Sequence, residues 1–318
     1  MTARWLVSHK RKSATRGGGF LLADGEAFFR RAPTDAGLNL VDLCDAAQAL
    51  GGDLGTILLI NVVQLAPGAS TARLHFHARL EDAVGQADFV QENGPERLDF
   101  KVDLLRRIDE AAPSHAILAS SSSGLSVTAM QAQCKHPERV VLGHPFNPPH
   151  MIPLVEVGGG EKTSAQAITT AMDFYTAIGK RPIHVRREIK GHIANRLQAA
   201  LWREAFHLVH EGVASVSDID TAIAHGPGLR WALMGPFMNL HLSGGEGGIA
   251  HLLAHLGGPI EDWWQDLGAP QMTPALQSRV ADGVTQALGG RTSAELVAAR
   301  DALLVDLLRA KQDARVLD

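Results

Sequence analysis

The sequence predicts an α/β fold, a doubly wound parallel sheet followed by an all-helical C-terminal domain. Three observations predict it. From about Leu65 to Arg186, short apolar runs ending in polar or small residues alternate with helix-length amphipathic stretches, the rhythm of a parallel sheet built from βαβ units. From Glu188 onward strand signals become scarce and helical periodicity takes over. At 318 residues, 45% hydrophobic and 20% charged, the chain is long enough for two domains with their own cores and has no bias towards disorder.

The strand-like runs are "ARLHFHA" (Ala72 to Ala78), "ADFVQEN" (Ala87 to Asn93), "HAILASS" (His115 to Ser121), "RVVLGHPFN" (Arg139 to Asn147), "IPLVEV" (Ile152 to Val157) and "RPIHVR" (Arg181 to Arg186). Between the second and third, Glu96 to Ala112 sets Leu98, Val102, Leu105 and Ile108 on one helix face, and a second helix is expected from about Ser164 to Ile178. "HIANRLQAALWREAFHLVHEGVAS" reads as a long helix with Ile193, Leu197, Leu201, Leu208 and Val209 at helical spacing. The first 64 residues fit neither pattern: Arg and Lys are frequent up to Arg31 and absent from Ala32 through Ala72. The expected domains are 1–187, with an atypical first unit over 1–64, and 188–318.

A net charge of -4 and a pI near 6.4 give no electrostatic case for nucleic acid or an acidic membrane surface, so the expected partner is a small molecule. No apolar run is long enough to span a membrane, and the N-terminus lacks the apolar stretch of a signal peptide. Cys44 and Cys134, the only cysteines, form neither a disulfide framework nor a thiolate metal site, which implies a reducing, cytoplasmic setting. His251 and His255, at i and i+4 without a third ligand, read as polar positions on a helix, and no metal is expected.

In an open parallel sheet, ligands bind outside the carboxyl ends of the strands. That rule gathers Glu92, Asn93, Glu96, the run Ser120 to Ser123, and His144 to Asn147 on one rim. His144 is the natural general acid or base, because imidazole titrates near neutral pH. Glu156, twelve residues on, falls where a strand end, a turn and a returning strand would bring a carboxylate to fix its tautomer.

Ser123, His144 twenty-one residues later, Glu156 within "PLVEV" and Asn195 within "GHIANRL" together resemble the 3-hydroxyacyl-CoA dehydrogenase superfamily over roughly Leu65 to Gly248. The resemblance implies a Rossmann-like first domain and NAD as cofactor. It implies that His144 takes the hydroxyl proton of a 3-hydroxy acid while hydride leaves the same carbon, that Glu156 orients His144, and that Ser123 and Asn195 hold the substrate oxygen. It places Glu96, Lys101 and Asn147 on the nicotinamide and ribose side, with Ser121 where the usual pattern has Asn.

"HPFNPPHMIPLVEV" and "GLRWALMGPF" are most similar to the branch containing carnitine 3-dehydrogenase, L-gulonate 3-dehydrogenase and lambda-crystallin. A homodimer formed through the helical domain is expected from that resemblance. Within "GLRWALMGPF", Arg230 offers a bidentate partner for a substrate carboxylate and Trp231 a face for a quaternary ammonium; "SGGEGG" adds Glu246. The expected reaction is NAD-dependent oxidation of a small L-3-hydroxy acid. A short 3-hydroxyacyl-CoA substrate, or a non-catalytic protein, are the alternatives.

One departure stands out. A dinucleotide site should begin with a strand and G-x-G-x-x-G. Here "RGGGFLLADGEAFF" supplies Gly17 and Gly19 but puts Leu22 in the third glycine's place, and "GGDLG" (Gly51 to Gly55) has the wrong spacing. "LNLVDLCDAA" is the candidate second strand, with Asp42 or Asp45 for the adenosine ribose.

Overall fold

The computed structural model describes residues 79–149 and 151–314, together with five strand segments that precede them: β1 (Trp5–Ser8), β2 (Ala27–Phe29), β3 (Asn39–Asp42), β4 (Asn61–Gln64) and β5 (Leu74–His77). The glycine run at 17–19, Leu22, Asp45 and the 51–55 cluster lie outside the described residues. The chain forms two compact units, Met1–Arg196 and Leu197–Asp318.

The first unit is built on β6 (Phe89–Glu92), β7 (Ile117–Ser120), β8 (Val140–Pro145), β9 (Leu154–Gly159) and β10 (Arg181–Val185). The strand order in the sheet is β10-β9-β8-β7-β6-β2-β1-β5. Neighbours β6 and β7, β7 and β8, β9 and β10, and β1 and β5 run parallel. The sheet is not wholly parallel: β8 and β9 are antiparallel, and β2 runs antiparallel to both neighbours. The segment proposed as the second strand, Asn39–Asp42, does form a strand, but it pairs with β4 in a separate two-stranded sheet.

Buried residues alternate between the faces of the main sheet, as a period of two requires. Leu118, Val140 and Leu142 pack with Val90 beneath helices α1 (Leu80–Val84), α2 (Leu98–Ala111) and α3 (Val127–Met130). On the other face, Ile117, Ala119, Val141, Val155 and Val157 pack with Ala167, Ala171 and Tyr175 of helix α4 (Ala165–Ala177).

Helix α2 buries the expected Leu105 and Ile108 and half-buries Val102, but not Leu98. Its buried residues are Lys101, Leu104, Leu105, Ile108 and Asp109, while Leu98 is 41% exposed. The physical reason is polar: Lys101 is drawn inward by Glu92, and Asp109 by Arg139, so the buried face turns towards its ionic partners.

The second unit is helical. Helix α5 (Ala194–Glu211) leads into it, followed by α6 (Val216–Ala224), α7 (Pro227–Trp231), α8 (Pro236–Ser243), α9 (Gly248–Asp266), α10 (Pro274–Leu288) and α11 (Ser293–Ala314). Its apolar stripes are formed but barely covered: only Val209, Leu252 and Leu276 are buried among its described large hydrophobics. Leu197, Phe237, Trp263, Trp264 and Leu303 stand more than half exposed. No helix among the described residues is long and apolar enough to cross a membrane.

Candidate active site

The antiparallel register of β8 and β9 sets His144 directly opposite Glu156. His144 Nδ1 lies 2.8 Å from Glu156 Oε2, while Oε1 accepts the amides of Ile193 at 2.8 Å and Ala194 at 2.9 Å. Burial works against a charge on Glu156, but the bonds from His144, Ala194 and Ile193 outweigh it and hold the carboxyl below its ordinary value. A charged Glu156 requires a proton on His144 Nδ1, which leaves Nε2 as the basic nitrogen.

Behind this pair, Gln91 donates to the carbonyl of Gly143 at 3.1 Å and accepts from the Tyr175 hydroxyl at 2.5 Å. Burial pushes the Tyr175 phenol up, so it stays a neutral donor. A side chain at Gly143 would run into the Tyr175 ring, so this glycine is needed for the close approach of α4 to the strand end that presents His144.

The other half of the site is the turn after β7. Glu96 Oε1 accepts from the Ser122 hydroxyl at 2.7 Å and from the amides of Ser123 and Gly124, both at 3.0 Å. Asn195 Nδ2 reaches the Ser123 carbonyl at 3.5 Å. Asn195 is also the next residue after the amides that hold Glu156, so Ser123, His144, Glu156 and Asn195 form one bonded neighbourhood.

Of the residues expected on the cofactor side, Ser121 is half-buried and its amide donates to the Glu92 carbonyl, while Asn147 is exposed at a cis bond to Pro148. Lys101 is fully buried. Its ammonium bonds both oxygens of Glu92, at 2.9 and 2.8 Å, and the Gly94 carbonyl at 3.1 Å, with Glu96 4.0 Å away. Its three hydrogens are therefore engaged inside the protein.

Sequence reasoning placed Glu92 and Ser120 on the rim without a role and passed over His192. Ser120 donates to Glu92 at 2.6 Å, and His192 Nε2 lies 3.0 Å from the Ser122 carbonyl. Only the folded backbone brings these partners together, since they are 28 and 70 residues apart. A cavity of about 350 Å³ adjoins His192, lined also by Leu142, Gly158, Val185 and Lys190. Arg230 and Trp231 belong to the helical unit, both exposed on α7, and are not among the residues the first unit gathers.

The described rim suits the nicotinamide half of a dinucleotide: adjacent carboxyl ends of β6, β7 and β8 expose Glu96 and a serine turn rich in donors and acceptors. The phosphate-binding half would fall on the first segment, outside the described residues.

Comparison with known proteins agrees with this geometry. The chain is similar to an L-carnitine dehydrogenase of Nocardiopsis dassonvillei, 50% identical over 78% of this chain and 75% of that protein. It is also similar to L-carnitine dehydrogenases of Streptomyces coelicolor (52% identical, 77% of each chain) and Pseudomonas aeruginosa (49% identical, 79% of this chain and 78% of the other). Among solved structures it is similar to 5-formyl-3-hydroxy-2-methylpyridine 4-carboxylic acid 5-dehydrogenase, an NAD+-dependent dismutase. That likeness has a TM-score of 0.64 at 31% identity and covers 80% of this chain and 82% of that one. Residues 60–189 match the model of the 3-hydroxyacyl-CoA dehydrogenase NAD binding domain, and residues 191–285 match that of its C-terminal domain. With both domain models matched in order, and the His144–Glu156 pair inside the first, the chain belongs to the 3-hydroxyacyl-CoA dehydrogenase family.

Proposed function

We propose that the chain oxidises the secondary alcohol of a small L-3-hydroxy acid to the 3-keto acid, with L-carnitine as first substrate. The observation that carries this is the bond between His144 and the buried Glu156. With Nδ1 held by the carboxylate, Nε2 accepts the hydroxyl proton, and Glu156 stabilises the imidazolium that forms. NAD, when bound, supplies the acceptor for the hydride that leaves the carbinol carbon. The Ser123 hydroxyl and Asn195 amide orient the substrate oxygen towards His144. Glu96, Ser121 and Asn147 hold the nicotinamide half, and Lys101 supports Glu96 from within. The first domain runs over 1–187 and the helical domain over 188–318.

The substrate choice rests on relatives about half identical to this chain over three quarters of its length. Arg230 would pair with the carboxylate and Trp231 would face the trimethylammonium group. The helical unit forms a homodimer. Three buried hydrophobics among its described residues are too few to hold such a unit, and exposed Trp and Leu residues on α5, α8, α9 and α11 need a covering surface. Light scattering should give twice the 34.0 kDa chain mass, and a monomer mass would refute the dimer. Cys134, whose thiol burial pushes up to about 12, is a free and unreactive cysteine, in keeping with a cytoplasmic enzyme.

The test is an NADH titration followed by turnover. Saturable binding and NADH production from L-carnitine are expected. Product from 3-hydroxybutyryl-CoA but not from free acids would replace the substrate, and absence of NADH binding at millimolar cofactor would refute the activity.

A further inference from the structure

Residues 192–195 touch both halves of the site. His192 bonds the Ser122 carbonyl, the amides of Ile193 and Ala194 hold Glu156, and Asn195 bonds the Ser123 carbonyl. His192 is the buried member of this run, 5% exposed, and its ring centroid lies 5.4 Å from that of His144, tilted by 53°. It is also the one described non-glycine residue with positive φ, at 49°. An L side chain keeps that conformation only where its surroundings impose it.

A carbonyl can only accept, so the contact with Ser122 requires the hydrogen of neutral His192 to sit on Nε2. Ser122 is itself fully buried, and its hydroxyl is spent on Glu96. The position of the serine turn is therefore defined from one side by Glu96 and from the other by His192.

Resting on the dehydrogenase reading, we propose that His192 is a positioning residue: its Nε2–H fixes the Ser122–Ser123 turn relative to the neighbouring His144 imidazole. The substrate oxygen must meet the Ser123 hydroxyl and His144 Nε2 together, and a shift of about 1 Å in such an arrangement can cost on the order of 100-fold in rate. His192 acts through the turn and takes no proton from the substrate.

The test compares His192→Phe, which keeps a ring but loses the donor, with His192→Gln, whose amide nitrogen falls where histidine carries Nε2. His192→Phe should lower kcat by roughly 10- to 100-fold with KM for NAD unchanged within about twofold, while His192→Gln stays within about threefold of the parent enzyme. A His192→Phe enzyme with parental kcat, or equal losses in both folded variants, would overturn the proposal. Because the Phe variant can fail to fold, ring ¹⁵N shifts of the parent protein with NADH give a second reading: the Nε2–H tautomer of His192 is expected, and the Nδ1–H tautomer would overturn it. Parent enzyme that turns over no 3-hydroxy acid refutes the dehydrogenase reading, and this proposal with it, whereas an active parent with an unaffected Phe variant refutes this proposal alone.

Discussion

Replacing Glu156 by Gln tests the site at its most constrained point. In the parent, Oε1 accepts two amides and Oε2 faces His144 Nδ1, with the side chain wholly buried. The amides of Ile193 and Ala194 can only donate, so the Gln carbonyl oxygen must stay with them and its NH₂ must turn to His144. His144 Nδ1 then becomes the acceptor, and the neutral ring carries its hydrogen on Nε2, facing the substrate hydroxyl it should deprotonate. A catalytic histidine locked in the wrong tautomer loses about 10⁴-fold in the best-studied serine-protease case. A loss of roughly 10³- to 10⁴-fold in kcat, about 4 to 5.5 kcal/mol of barrier, is therefore expected here. Shape and amide bonds are kept, so the thermal midpoint should move by only a few degrees, at roughly 2–4 °C per kcal/mol for a chain of this size. The assay is NADH absorbance with L-carnitine, paired with a melting curve and an NADH titration. A folded Glu156→Gln enzyme that binds NADH and keeps more than about a tenth of the parental kcat would refute the tautomer argument.

Four further predictions concern the first unit. Tyr175→Phe strips Gln91 of its buried donor and should cost about 1–3 kcal/mol in denaturant unfolding; Gly143→Ala should cost more in the parent than in the Tyr175→Phe background, because the hydroxyl is the first atom its Cβ meets. Equal costs in both backgrounds would refute that contact. Asp109→Ala leaves Arg139 buried without its carboxylate and should lose roughly 3–5 kcal/mol, and a change under about 1 kcal/mol would show the pair to be dispensable. Glu188 is buried in part, which opposes its charge, but bonds from Thr128, Ser126 and Val127 win and lower its pKa below 4.5. The folded carboxyl thus binds its proton less tightly than the unfolded one. Its stabilisation is complete above about pH 5 and is lost as pH falls through the folded value, so Glu188→Gln should flatten the slope of melting temperature against pH below about pH 5. An unchanged slope would refute it.

What the sequence reveals and what it hides divide along physical lines. The strands from Leu74 onward were legible because each is a short apolar run closed by polar residues. The His144–Glu156 pair was legible because a strand, a turn and a returning strand have a characteristic length. The buried face of α2 was legible only in part: periodicity finds Leu105 and Ile108, but nothing local says that Lys101 and Asp109 will outrank Leu98. Their partners, Glu92 and Arg139, are 9 and 30 residues away. His192 was hidden for the same reason, since neither its positive φ nor its bond to Ser122 has a signature in a segment that reads as the start of a helix.

The hidden residues also explain why the legible ones stand where they do. Glu96 can hold the amides of Ser123 and Gly124 because Lys101 lies beside it, engaged with Glu92, which in turn receives the Ser120 hydroxyl. Ser120, Ser122 and Ser123 thus differ: the first satisfies a buried carboxylate, the second braces the turn on Glu96, and the third is exposed, with only a long 3.5 Å hydroxyl contact to Glu96. A polar run at a strand end is better understood as an exposed residue together with the buried bonds that position it, and substitutions at Ser120 or Ser122 should therefore disturb the turn as surely as one at Ser123.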